Sequence, residues 1–159
     1  MKTVVLYASG YGYAKEMAEQ ITSGLNGDVQ CVNLNVKQKL DLKDADTIVL
    51  GSSIYVGQIH KSMKEFIKSN HDLSLSKRLV IYLCCAFEHE FENHLKNNFP
   101  IELLEHASMI QNLGGAIDKP KLNFGHKMMV SMIEKTEAGK RPILRHDDRI
   151  QTILSHLNT

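Results

Sequence analysis

A run such as Thr47 to Gly51 (TIVLG) is too continuously apolar to leave one face in water, and the chain carries five short runs of this kind. The others are Thr3 to Ala8 (TVVLYA), Val29 to Leu34, Arg78 to Cys85 (RLVIYLCC) and Ser108 to Leu113 (SMIQNL), each of strand length. Between them the period changes. From Tyr13 to Leu25 the apolar residues Ala14, Met17, Ala18, Ile21 and Leu25 recur at helical spacing, with Lys15, Glu16, Glu19 and Gln20 facing away. Helices are also expected over His60 to Asn70, marked by Met63, Phe66 and Ile67, and over Glu88 to Asn97, followed by a short connector at Pro100. Two more finish the chain. One spans Leu122 to Lys135, and one starts at Asp147 or Asp148, whose side chains suit an N-cap, and runs to Leu157. Buried strands interleaved with helices make a parallel sheet covered on both faces, because parallel neighbours need right-handed crossovers. The fold class is therefore α/β, a doubly wound five-stranded parallel sheet with residues 1–159 as one domain.

Charge and cysteine content narrow the function. Nineteen basic and eighteen acidic residues give a net charge of +1, which offers no global field for nucleic acid. No run is long and apolar enough for a transmembrane segment, and Met1-Lys2 leads straight into the first strand, so a cytoplasmic protein is expected. Cys31, Cys84 and Cys85 lack the spacing of a structural metal site, and reduced thiols are expected.

In an open α/β sheet a ligand sits beyond the carboxyl ends of the strands, so the segments just after the strands are the informative ones. The first is Ser9-Gly10-Tyr11-Gly12-Tyr13-Ala14. Its glycines let the backbone curl so that N–H groups and the positive end of a helix dipole converge on a phosphate, although glycines alone also fit a turn that binds nothing. Lys15 replaces the third glycine of a dinucleotide fingerprint, and Asn33 and Asn35 stand where an acidic ribose ligand would follow strand two, so a mononucleotide fits better. A phosphoryl-accepting receiver is rejected, because Gly51-Ser52 stands where its aspartate would be.

The second segment, Gly51 to Gln58, reads as a loop in which Ser52, Ser53, Ile54, Tyr55 and Gly57 lie along a flat ring, or as a polar strand exit with one surface tyrosine. With no Trp and aromatics at 6%, ring-stacking candidates are few. Phe87, after strand four, is the other, and it equally suits a core contact. The adjacent Cys84 and Cys85 read as small buried hydrophobes, and Glu88, His89, Glu90 and His94 as a solvated helix face rather than a metal site. Met128, Met129, Met132 and Ile133 suit packing on the sheet, with a partner or membrane-surface helix as the alternative.

SGYGYAKEMA at residues 9–18 resembles, without a gap, the SGTGNTE..A phosphate loop of the flavodoxin family. That resemblance implies strand order 2-1-3-4-5 and FMN as cofactor, its phosphate held by the Ser9 hydroxyl and the backbone from Gly10 to Ala14. Tyr11, Tyr13 and Ala14 replace the family's threonine, asparagine and threonine, which is the ground for a competing reading as a flavodoxin-fold interaction module that has lost or weakened cofactor binding. GSSIYVGQIHKSMKEF at residues 51–66 resembles a narrower group, the short flavodoxin-type proteins related to bacterial quinone-dependent protoporphyrinogen oxidase, at Gly51, Ser53, Ile54, Gly57, Ser62 and Phe66. This likeness implies electron transfer or an FMN-dependent oxidoreductase, with a redox partner protein or quinone, a porphyrinogen substrate and peripheral membrane contact.

Overall fold

The computed structural model describes residues 1–115, 124–134 and 145–159. Strand β1 (Lys2–Ala8) pairs in parallel with β2 (Asp28–Asn33) on one side and β3 (Thr47–Tyr55) on the other. Beyond β3, set aside a two-residue strand β4 (Gln58–Ile59), lie β5 (Arg78–Cys84) and β6 (Met109–Asn112), also parallel. The order β2-β1-β3-β5-β6 is the expected 2-1-3-4-5 with β4 as an antiparallel addition to β3.

Alternation divides the core. Val4, Leu6, Ile48, Leu50, Leu79, Ile81 and Leu83 point to the face covered by α2 (Lys61–Ser69), α4 (Phe91–Asn98) and α5 (Ile101–His106). Val5, Tyr7, Val49, Val80 and Tyr82 point to the face covered by α1 (Tyr13–Gly24) and α7 (Asp148–Leu157). Each fully buried Val, Leu or Ile contributes roughly 1.5–3 kcal/mol relative to exposure, so the central strands draw stability from both faces at once.

The structure departs from expectation in four places. Strand β3 continues through Ser52 and Ser53 to Tyr55, since those residues pair with Ala8 of β1 and Cys84 of β5 and then with Ile59 and Gln58 of the β4 hairpin. The connector after Pro100 is a helix, α5, with the proline just before it, where a missing N–H costs no hydrogen bond. A further short helix, α3 (His71–Leu75), follows α2. Asp147 occupies the N-cap of α7 without capping it, because its carboxylate is taken by Arg145 at 3.1 Å.

Helix α6 (Phe124–Glu134) forms where a Met-rich helix is expected; its anticipated ends at Leu122 and Lys135 and the loops beside it fall outside the described residues. Of the residues expected to pack on the sheet, Met128 and Met132 are 51% and 60% exposed, as Phe124 is at 78%, and the side chains of Met129 and Ile133 fall outside the described residues.

Candidate functional site at the carboxyl edge of the sheet

The turn between β1 and α1 is built around Gly12. Its φ of +99° is a left-handed conformation that glycine adopts without penalty, and a Cβ there would meet nothing within 4 Å, so the turn opens to solvent. The Gly12 N–H donates to Ser9 Oγ at 2.9 Å, which leaves the serine's own proton for another acceptor. Glu16 N–H is bonded to the Gly12 carbonyl at 3.0 Å, whereas the N–H groups of Tyr13, Ala14 and Lys15 have no carbonyl a turn back within the helix. These donors and the positive end of a twelve-residue helix form one concentrated site for an anion.

The side chains that replace the expected threonines and asparagine hold the turn in place. Tyr13 is buried, and its hydroxyl donates to the Leu113 carbonyl at 2.7 Å at the exit of β6. Burial pushes this phenol well above the usual tyrosine range, so it stays protonated as a donor. Arg145 lies 4.9 Å over the Tyr13 ring and pairs with Glu16 at 2.6 Å and Asp147 at 3.1 Å, so it offsets part of the negative charge in the first turn of α1. Ala14 is fully buried, and its carbonyl accepts the Tyr82 hydroxyl at 2.9 Å. Tyr82 reaches it across Gly51, where a Cβ would stand 1.8 Å from the tyrosine Cζ. Gly51 is therefore a space requirement under the helix.

Ser52 and Ser53 do not form a loop along a ring, as the sequence led us to expect; both are buried on β3. Ser52 Oγ donates to the Ser53 carbonyl at 3.1 Å and accepts the His60 N–H at 3.2 Å, which ties the end of β3 to the start of α2. Ile54 is partly buried against the core on the α2 side. Tyr55 packs against the turn between β1 and α1, its Cε2 3.3 Å from where a Gly10 Cβ would be, and its ring meets Tyr11 edge-on at 4.8 Å. Burial raises the Tyr55 phenol, with the Ser53 hydroxyl and the Tyr11 backbone pulling the other way. Gly57 closes the hairpin, and its carbonyl accepts Asn98 Nδ2 at 2.9 Å while Asn98 Oδ1 receives the Ile59 N–H at 3.0 Å.

After β5 the chain is pinned from β6. Asn112 Oδ1 receives the N–H groups of Cys85 at 3.1 Å and Gly114 at 2.9 Å. Phe87 is half-buried, its ring 6.2 Å from His89 and edge-on. Glu88 pairs with Arg149 at 2.8 Å and His146 at 3.2 Å, and the Arg149 hydrogen bond holds its carboxyl below the usual range. Burial pushes the Cys85 thiol up to about 11 and Cys84 well above its ordinary value, so both are small protonated core groups at neutral pH.

The strand order thus brings Ser9 to Ala14 against Tyr55 directly, with Ser52, Ser53, Ile54 and Gly57 on the neighbouring strand and its turn, and Phe87 one strand further along the same edge. Several residues at this edge lay beyond the sequence reading. Tyr82 and Arg145 act on α1 from 68 and 129 residues away, a distance no local pattern registers. Asn35, His60 and Ser62 link the turn to α2; their signal was a short polar cluster after a strand and at a helix start.

A family model described as a flavodoxin domain matches residues 4–142. Protoporphyrinogen IX dehydrogenase [quinone] of Escherichia coli (strain K12) is 23% identical over 151 residues, covering 88% of this chain and 82% of the relative. A flavodoxin of Clostridium saccharobutylicum is 25% identical over 148 residues, covering 86% of this chain and 88% of its own. Among solved structures, the flavodoxin of Streptococcus pneumoniae TIGR4 superposes with a TM-score of 0.58 at 18% identity, over 76% of this chain and 90% of that one. The glycine turn at the head of α1, the parallel order around β1 and a model match over most of the chain's length agree, and the chain belongs to the flavodoxin domain family.

Proposed function

We propose that the chain is an FMN-binding redox protein whose phosphate grip comes from main-chain donors between Ser9 and Lys15. The observation that carries this reading is the open left-handed turn at Gly12 with the first N–H groups of α1 facing outward. Its fit to FMN rests on three further features. The Ser9 hydroxyl keeps a proton to donate, the Glu16 carboxylate is held by Arg145, and an aromatic ring, Tyr55, lies directly beside the turn. Ser9, Gly10, Tyr11, Gly12, Tyr13 and Ala14 would hold the phosphate, chiefly through backbone N–H groups. Tyr55, Gly57 and Phe87 would flank the ring, with Ser52, Ser53 and Ile54 holding the hairpin in place.

When bound, FMN supplies one- and two-electron transfer chemistry. The chain's own contribution is to bind, orient and shield: Tyr82 and Tyr13 fix the head of α1, and Asn98 fixes the hairpin tip. The E. coli relative's name supplies the reaction class to assay, protoporphyrinogen IX as donor and a quinone as acceptor.

The test is the absorbance spectrum of purified protein before and after FMN addition. The reading expects a yellow protein, or a colourless one that takes up one equivalent of FMN at micromolar concentration with quenched flavin fluorescence. A protein that ignores FMN is an interaction module instead. Steady turnover of protoporphyrinogen with a quinone then marks an enzyme, and reduction by a reductase without small-molecule turnover marks a carrier.

A further inference from the structure

A chain of hydrogen bonds runs from the phosphate turn to α2 outside the donors themselves. Asn35 Nδ2 donates to the Ser9 carbonyl at 2.8 Å, and Asn35 Oδ1 accepts the Ser62 hydroxyl at 2.8 Å. Ser62 in turn sits on His60, with Oγ 3.0 Å from Nδ1 and its N–H donating to Nδ1 at 3.2 Å. The His60 N–H ends the chain on Ser52 Oγ of β3. Asn35 is itself oriented by a turn in which its N–H donates to Asn33 Oδ1 at 2.9 Å.

A trans peptide is planar, and its carbonyl and N–H point in opposite directions. Holding the Ser9 carbonyl therefore sets the direction of the Gly10 N–H, which shares that plane and points away from Asn35. Gly10 has no side chain to restrain rotation of this peptide, and the Asn35 bond supplies a restraint from outside the turn. We propose that Asn35, supported by Ser62, is a positioning residue that orients the Gly10 N–H toward the phosphate of a bound flavin mononucleotide. This rests on the flavin reading above. Asn35 is exposed, so its replacement leaves no buried polar group behind and the fold tolerates it.

The test compares FMN with riboflavin, which has the same ring system and no phosphate. Asn35→Ala is expected to weaken FMN binding roughly tenfold, the scale of one hydrogen bond to a charged group, with riboflavin affinity and the unfolding midpoint unchanged. Ser62→Ala should give a smaller loss with the same selectivity, and the double variant should lose no more than Asn35→Ala alone, because both act through one carbonyl. Equal weakening of both ligands, or no change in FMN affinity, overturns the role of Asn35 while leaving the flavin reading intact. A wild-type protein that binds neither ligand overturns both.

Discussion

Two single residues set conditions that a substitution can test. Gly12 carries the left-handed φ at the mouth of the turn, so an aspartate there finds open space for its side chain but strains the backbone, and it brings a carboxylate to the position assigned to a dianion. Gly12→Asp is expected to lower FMN affinity at least ~100-fold, about 2.7 kcal/mol, in a fluorescence titration. Unchanged affinity would mean the turn is not the phosphate site. Val56 shows the opposite economy. It is β-branched, 48% exposed and held at φ +52° in the two-residue turn that reverses β3 into β4, a conformation that favours Asn or Gly. Val56→Asn should relieve about 1 kcal/mol of backbone strain and raise the urea midpoint without altering the strand pairing. A midpoint that falls would show that the valine side chain contributes more than its backbone costs. Residue identity alone disclosed the glycines, but not that the Tyr13 side chain is a buried strut under the turn. Its partner, the Leu113 carbonyl, is 100 residues away.

At the scale of elements, the hairpin tip rests on α4, where Asn98 bonds the Gly57 carbonyl of the turn and the Ile59 N–H of β4, and the His94 ring lies 3.7 Å from where a Gly57 Cβ would be. Burial lowers the His94 pKa below its ordinary 6.5, with Glu90 opposing and His89 adding to the shift. The unfolded chain then binds more protons than the folded one below about pH 6.5, so stability present at higher pH is lost as pH falls through the depressed folded value. Burial, assisted by Arg78, moves His156 in the same direction. Thermal melts from pH 7.5 to 5.5 should show a falling midpoint, and His94→Gln should flatten part of that slope; an identical slope would place the titration elsewhere. The elements themselves were largely legible. Strands buried on both faces need continuous apolar runs, and helices on a sheet need apolar residues at helical spacing, so both leave patterns. The tail of β3 was not legible, because Ser52 and Ser53 look like a loop until Ala8, Cys84 and the His60 N–H are brought beside them. The capping role expected of Asp147 failed for a similar reason, since Arg145 claims its carboxylate.

For the whole molecule, topology gathers the site: β1 and β3 are adjacent in the sheet although 38 residues of chain separate Ala8 from Thr47, so the turn after one meets the tail of the other. The fold was readable from pattern and motif together, and the family from the turn at residues 9–18. No helix among the described residues is long and apolar enough to cross a membrane. Met128 and Met132, expected on the sheet, are exposed instead, beside Phe124, because composition says that a Met-rich helix has an apolar face but not which of its residues that face takes. The central proposal is that backbone N–H groups at the head of α1 substitute for the missing hydroxyl side chains. Amide-resolved NMR during FMN titration measures this directly. The largest shifts are predicted at Gly10, Gly12, Tyr13, Ala14 and Lys15; shifts concentrated instead in the basic groove of Lys64, Lys68 and His71, with residues 9–15 unmoved, would contradict it.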